Sequence, residues 1–291
     1  KKTDIRFKDF INKNIKQLVV PFLIFNLLLW LYLIVFACVF DNQNINIDRL
    51  FVKPFIGIIL GCDSFISSMP NTPCWFLICL FVIRCACYFV KINKTVLLPM
   101  LLSLIVASVI NYCKIEKYIF FQLDTASLAF PFFVLGMYFK KIEAFKKSFK
   151  LNGFLCISIV VVLFVIQLII YNSLGFLSMY SNDYGNNIIL YYIISIVGSF
   201  FMFFLCGILN QYSSVLVEIY SNGTLFILGF HGLVLSFLVV LYKHILGFDH
   251  LNAIIAVVLS LITIMLLYYP LIWTMKHAPI LVGKNKMKSL C

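Results

Sequence analysis

Charge is what this chain has least of. Acidic residues number 11 and basic residues 23 among 291, so charged side chains make up 12% of the whole. A soluble domain carries roughly 25%. Four histidines are the only side chains whose ordinary titration falls near neutral pH. No glycine-rich phosphate loop is present, no His-Glu-x-x-His helix and no Gly-x-Ser-x-Gly elbow. These absences exclude the common phosphate-binding, zinc-protease and serine-hydrolase templates. Internal repeats, low-complexity tracts and a separate polar domain are missing as well.

What fills the chain is apolar. Hydrophobic residues reach 63% and the mean hydropathy is +1.04. A bilayer core takes about 20 apolar residues per helix. Eight stretches read as spans: Leu18–Phe40, Cys74–Val90, Val96–Tyr112, Tyr118–Phe139, Phe154–Tyr171, Ile188–Leu209, Thr224–Leu241 and Leu251–Met275. The second and third are short, and the fourth contains Asp124 and Pro131. The expected fold is an all-α multipass transmembrane helical bundle forming one domain over residues 1–291.

The net charge of +12 does not point to nucleic acid, because the basic residues sit in short clusters between apolar spans. Such clustering is a topology signal. With the N-terminus inside, seventeen Lys and Arg fall on cytoplasmic segments and five on outer ones, and Lys140–Lys150 forms the densest inner cluster. Both ends of the chain are therefore expected in the cytoplasm. Ahead of the first span, Ile5, Phe7, Phe10, Ile11, Ile15 and Leu18 recur at helical spacing among lysines. That pattern reads as an interfacial helix, with Pro21 marking the start of the span. The longest outer loop, Asp41–Pro73, carries a weak apolar stretch from Leu50 to Leu60, read as re-entrant or interfacial.

Ten cysteines are present, most of them within apolar runs, where a thiol behaves as a small hydrophobe. Cys85 and Cys87 lack the spacing and neighbours of a metal site, so no metal is expected. Cys62 and Cys74 share the outer loop, and a disulfide between them is one option.

A few polar or aromatic residues stand out against the apolar background. His231 lies inside an apolar run, where an ionisable ring is costly unless it faces protein or water. It is read either as part of a site or as a helix–helix hydrogen-bonding group. Trp75 starts a span just after Pro73, as an interfacial anchor or as a ring that stacks on a ligand. Arg84 is the only Arg within a span, about two turns from its inner end. It either snorkels or meets a phosphate. Asp124 and Glu218, near the ends of apolar runs, are expected to be solvated or paired.

Four stretches carry a family resemblance: Phe10-Ile-Asn-Lys-Asn-Ile-Lys-Gln-Leu18-Val-Val-Pro21-Phe, Pro73-Cys-Trp75-Phe76-Leu77-Ile-Cys-Leu80-Phe81, Pro131-Phe-Phe-Val-Leu-Gly136-Met-Tyr-Phe-Lys-Lys141 and Asn222-Gly223-Thr224-Leu-Phe-Ile-Leu-Gly-Phe-His231. In order and spacing the chain resembles the membrane-bound sugar O-acyltransferases of the acyltransferase-3 superfamily, in particular the fucose 4-O-acetylase-like branch. The resemblance implies a ten-helix fold of which about eight helices are present here, the chain being a piece that lacks the first two. It implies acetyl-CoA as acyl donor and a sugar hydroxyl of a cell-surface or lipid-linked glycan as acceptor, in a bacterial plasma membrane. It also implies that the main catalytic base belongs to the absent first helix. His231 is left a supporting role, and Trp75, Phe76 and Arg84 are candidate substrate-binding residues. With Lys1 as its true start, the chain is expected to be inactive alone. The competing classes are a multipass transporter, which would favour paired broken helices in two halves, and a catalytically dead remnant. The sequence carries no signal for the oligomeric state.

Overall fold

The computed structural model describes residues 6–40, 46–64, 66–89, 97–113, 120–139, 153–174, 177–180, 183–184, 187–209, 212, 214–247 and 252–284. The Lys140–Lys150 cluster and the inner-loop lysines Lys91 and Lys94 lie outside them. Among the described residues the chain is helical, apart from connecting turns and one isolated bridge between Ser178 and Asp183. Seven helices among the described residues are long and apolar enough to cross a membrane. The expected third span is present as a helix at Leu97–Tyr112, but its apolar part, Leu98–Ile110, is shorter than the other seven.

Large apolar side chains point outward. Val161, Ile169, Val257 and Met265 are all well exposed, as a bundle facing hydrocarbon requires and a soluble core forbids. The contacts group the chain into two compact bodies, residues 1–85 with 215–291, and residues 86–214.

The first body begins with helix α1 (Phe7–Asn14), a π-helical stretch (Ile15–Val19) and helix α2 (Val20–Phe40). The three run on without a break, so Pro21 does not separate an interfacial helix from a span. A helical proline lacks an N–H and crowds the carbonyl four residues back, here that of Gln17. The π stretch widens the helix just before it, with Val20 N–H bonding back to Ile15 O. Gln17 O faces Gly283. At Gly283 a Cβ would come 3.2 Å from Leu225 Cδ2 and 3.7 Å from Gln17 O. Gly283 also sits at φ +73, a conformation that favours glycine.

The Leu50–Leu60 stretch becomes a π turn (Asp48–Val52) and a short helix α3 (Lys53–Leu60), too short to span. Trp30 of α2 fastens it by donating Nε1–H to Leu50 O at 2.8 Å. The loop beyond α3 is built from internal bonds. Ser67 Oγ donates to Cys62 O at 3.0 Å, Ser68 N–H bonds to Lys53 O at 3.0 Å, and Met69 N–H bonds to the Asp63 carboxylate. Burial pushes the Asp63 carboxyl above its ordinary range, and the Met69 bond partly offsets this.

A 3-10 turn (Thr72–Cys74) leads into helix α4 (Trp75–Phe89). All nine described cysteines are thiols, so Cys62 and Cys74 are not joined.

The second body holds α5 (Leu97–Tyr112), α6 (Leu123–Phe139), α7 (Gly153–Leu174) and α8 (Ile188–Leu209). Ala107, Leu128, Tyr184 and Tyr191 form its core. Tyr192 stacks on Phe132 at 5.1 Å and donates to Leu128 O at 3.1 Å. Asp124 is not solvated, as was one of its two expected states, but 1% exposed. Its Oδ1 accepts the Thr125 N–H at 2.8 Å. The turn before it holds Phe121 and Gln122 at φ 56 and 55, a region that bulky residues avoid. Glu218, by contrast, is exposed.

The chain returns to the first body with α9 (Val215–Asn222), α10 (Thr224–Leu246) and α11 (Ala253–His277), closed by a 3-10 turn (Pro279–Val282). Ile219, Phe226, Leu267, Leu271, Met275 and Val282 make the core there.

Candidate functional site

His231 lies about a third of the way along α10 and is half-buried. Its Nδ1 is 3.0 Å from both Ile227 O and Leu228 O. Carbonyl oxygens only accept, so Nδ1 carries the proton in this arrangement. In the neutral ring Nε2 is then an unprotonated acceptor. The helix backbone thus selects the tautomer that leaves a base-like nitrogen at the tip of the ring.

The backbone just before His231 is held by a chain of buried amides. Asn26 of α2 is 0% exposed. Its Nδ2 donates to Phe22 O at 2.9 Å and its Oδ1 accepts Asn71 N–H at 3.0 Å. Asn71 Nδ2 donates to Gly229 O at 2.7 Å. Three successive α10 carbonyls, those of Ile227, Leu228 and Gly229, therefore receive side-chain donors. Gly229 allows the close approach of α2, since a Cβ there would lie 2.5 Å from Phe25 Cγ. Phe25 meets Phe230 edge to face at 5.4 Å, and Phe226 packs on Phe230 at 4.6 Å.

This network brings together two stretches that the sequence keeps far apart. The turn ahead of Trp75 is bonded to α10 two residues before His231. Trp75 is half-buried, and Phe76 is 47% exposed with its ring edge-on to Trp75 at 6.1 Å.

Arg84 is not brought to this point. It lies nine residues further along α4, about 13 Å by helical rise. There its Nη1 donates to Asn14 Oδ1 at 3.1 Å, and buried Asn14 bonds back to Phe10 O at 2.8 Å. Arg84 is thus fixed to α1 rather than simply extended toward water. A guanidinium has five N–H donors. Among the described residues only this one is engaged.

The two cross-links, Asn26–Asn71 and Asn14–Arg84, show α2 and α4 running antiparallel and divide the body into two polar levels. Asn26 and Asn71 were not singled out from the sequence. The signal that would have found Asn26 is an amide inside an apolar run, which needs a partner at membrane depth. No group of three or more His, Cys, Asp or Glu able to hold a metal occurs among the described residues.

The sequence profile of the acyltransferase domain matches residues 2–273, nearly the whole chain. No curated protein and no solved structure matches it. A chain of membrane-spanning helices whose length is covered by that profile is a membrane acyltransferase, and it belongs to the acyltransferase-3 family.

Proposed function

We propose that the protein is an O-acetyltransferase that moves the acetyl group of acetyl-CoA to a sugar hydroxyl of a cell-surface or lipid-linked glycan, in the manner of the fucose 4-O-acetylase-like branch. In this reading it lies in a bacterial plasma membrane with both termini cytoplasmic, following the seventeen-to-five distribution of Lys and Arg. Family membership supports acyl transfer; the His231 ring supports a hydroxyl acceptor. An Nε2 held as a hydrogen-bond acceptor by its own helix suits an alcohol O–H, which it orients or relieves of its proton.

In the reaction the hydroxyl oxygen attacks the thioester carbonyl and loses its proton to a base. The tetrahedral oxyanion collapses, the C–S bond breaks, and the CoA thiolate takes up a proton. His231 serves as the positioning group for the acceptor hydroxyl. Trp75 and Phe76 offer aromatic faces for a sugar ring near the same level. Arg84, with donors to spare on the Asn14 level, suits the phosphates of CoA arriving from the cytoplasm. The long pantetheine arm of CoA bridges a separation of this size.

The test is acetyl transfer from radiolabelled acetyl-CoA to envelope glycan in membranes carrying the full-length enzyme or its His231→Ala variant. One hydrogen bond contributes about 0.5–1.5 kcal/mol, so turnover falls roughly threefold to tenfold for pure positioning. A general base contributes about 10²-fold or more. Full turnover by His231→Ala refutes the role.

A further inference from the structure

Two cations of the first body are held by amides rather than by carboxylates. Arg84 donates to Asn14 Oδ1. Lys284, just past the closing 3-10 turn, donates from Nζ to Asn222 Oδ1 at 2.5 Å. Both cations are half-buried. Among the described residues neither meets a carboxylate. Asp9 and Glu218, on the same helices as Asn14 and Asn222, are exposed and pair with neither cation. A cation withdrawn from water is normally matched by an acid. An amide oxygen orients it instead and leaves its charge whole, as an anion site requires.

Lys284 is built into the fold. Its N–H bonds to Pro279 O at 3.0 Å, and Gly283 N–H bonds to Ile280 O at 3.0 Å. Val282 is buried in the core with Phe226 and Met275. This turn lies against the segment that holds Arg84. A Cβ on Gly283 would come 3.7 Å from Gln17 O, and Gln17 is less than one helical turn from Asn14. Arg84 and Lys284 are thus both anchored beside the same turn of the α1–α2 segment. Lys13 and Lys16, exposed on that turn, add to the positive field. In the proposed orientation this is the cytoplasmic level. Asn222 opens the stretch that leads to His231, yet it has no part in holding the acceptor hydroxyl.

We propose that Lys284, oriented by Asn222, is a second phosphate contact for the acyl donor. Arg84 and Lys284 together hold the phosphorylated nucleotide of a CoA thioester and select it over thioesters that lack one. That nucleotide carries a pyrophosphate and a separate 3′-phosphate, so two cations each meet an anion on one ligand. The inference rests on the acetyl-CoA reading above and adds a residue beyond the 2–273 match.

Initial rates of acetyl transfer by the full-length enzyme in nanodiscs are measured with acetyl-CoA and with acetyl-pantetheine, which has the same thioester and no phosphate. CoA binding is followed in parallel by isothermal titration calorimetry, in zwitterionic and in anionic lipid. Lys284→Gln keeps a donor for Asn222 and removes the charge. It is expected to raise KM for acetyl-CoA and weaken CoA binding roughly fivefold or more, as loss of a charge-assisted hydrogen bond implies. The effect falls on KM rather than kcat, and acetyl-pantetheine kinetics move by less than about twofold. Lys284→Arg is expected to restore CoA binding. A merely structural lysine would shift both donors and Tm alike. Equal effects on the two donors, or CoA binding untouched by Lys284→Gln, overturns the proposal. So does an effect confined to anionic lipid, which gives the cation to a lipid headgroup. Acetyl transfer with CoA binding that ignores Lys284 defeats the second contact alone. Lys284-dependent CoA binding without acetyl transfer defeats the acetyl-transfer reading alone.

Discussion

Replacing Gly229 with alanine tests whether the α2–α10 contact holds the backbone next to His231. The added Cβ would sit 2.5 Å from Phe25 Cγ and 2.6 Å from each Cδ. Carbon atoms in contact prefer about 3.5–4.0 Å, so roughly 1 Å must be found. The Phe25 ring has little room to yield, being 1% exposed and set edge-on to Phe230 at 5.4 Å. Overpacking of this kind costs about 1–3 kcal/mol, and the near-rigid ring puts Gly229→Ala toward the upper end. Alanine returns about 1 kcal/mol of helix propensity, so a net loss of about 2 kcal/mol is expected. The assay is thermal unfolding of the detergent-solubilised protein by tryptophan fluorescence, run beside acetyl transfer. Phe25→Leu removes the obstruction, so the double variant is expected to lose at least 1 kcal/mol less than the sum of the singles. Strict additivity, or a Gly229→Ala protein as stable as wild type, refutes the argument.

Two further outcomes follow from buried polar groups in the same body. Asn71→Ala removes the bond to Gly229 O and lowers stability by about 1–3 kcal/mol. Asn71→Asp is expected to be worse at neutral pH, where its carboxylate faces that carbonyl, and to recover in acid as a protonated donor. Tm against pH for both variants checks this. For Asp63 the sign runs the other way from an ordinary salt-bridged carboxylate. Its folded-state pKa is raised above 3.8, so its contribution to stability is full below that value and is lost as pH rises through the raised one. Asp63→Asn, which keeps an acceptor for Met69 N–H, is expected to flatten the slope of Tm between pH 4 and neutrality, and an unchanged slope defeats the assignment.

Much of the fold was legible because a bilayer imposes a local rule. Each apolar run long enough to cross must satisfy its own backbone, so it is a helix whatever its neighbours do. The expected span Ile188–Leu209 coincides with α8, and Phe154–Tyr171 falls inside α7. The short third stretch and the continuity of α1 into α2 were harder, because a proline preceded by a π turn bends the usual reading of a helix boundary. His231, Trp75 and Arg84 were visible as exceptions in an apolar background, but their partners were not.

The sequence by itself determined that this is a multipass helical protein, which residues are exceptional, and, through its motifs, the family. Those properties depend on composition along short windows. The tertiary structure alone decided that Asn71 reaches Gly229 across 158 residues, that Arg84 meets Asn14 across 70, and that Asp124 is buried rather than solvated. It also decided which nitrogen of His231 faces the helix carbonyls, and that Gln167 opens onto a crevice beside Gly198. The physical reason is that apolar side chains say little about which helix packs on which. The few hydrogen bonds and glycine notches that choose among packings join residues with no local mark of one another.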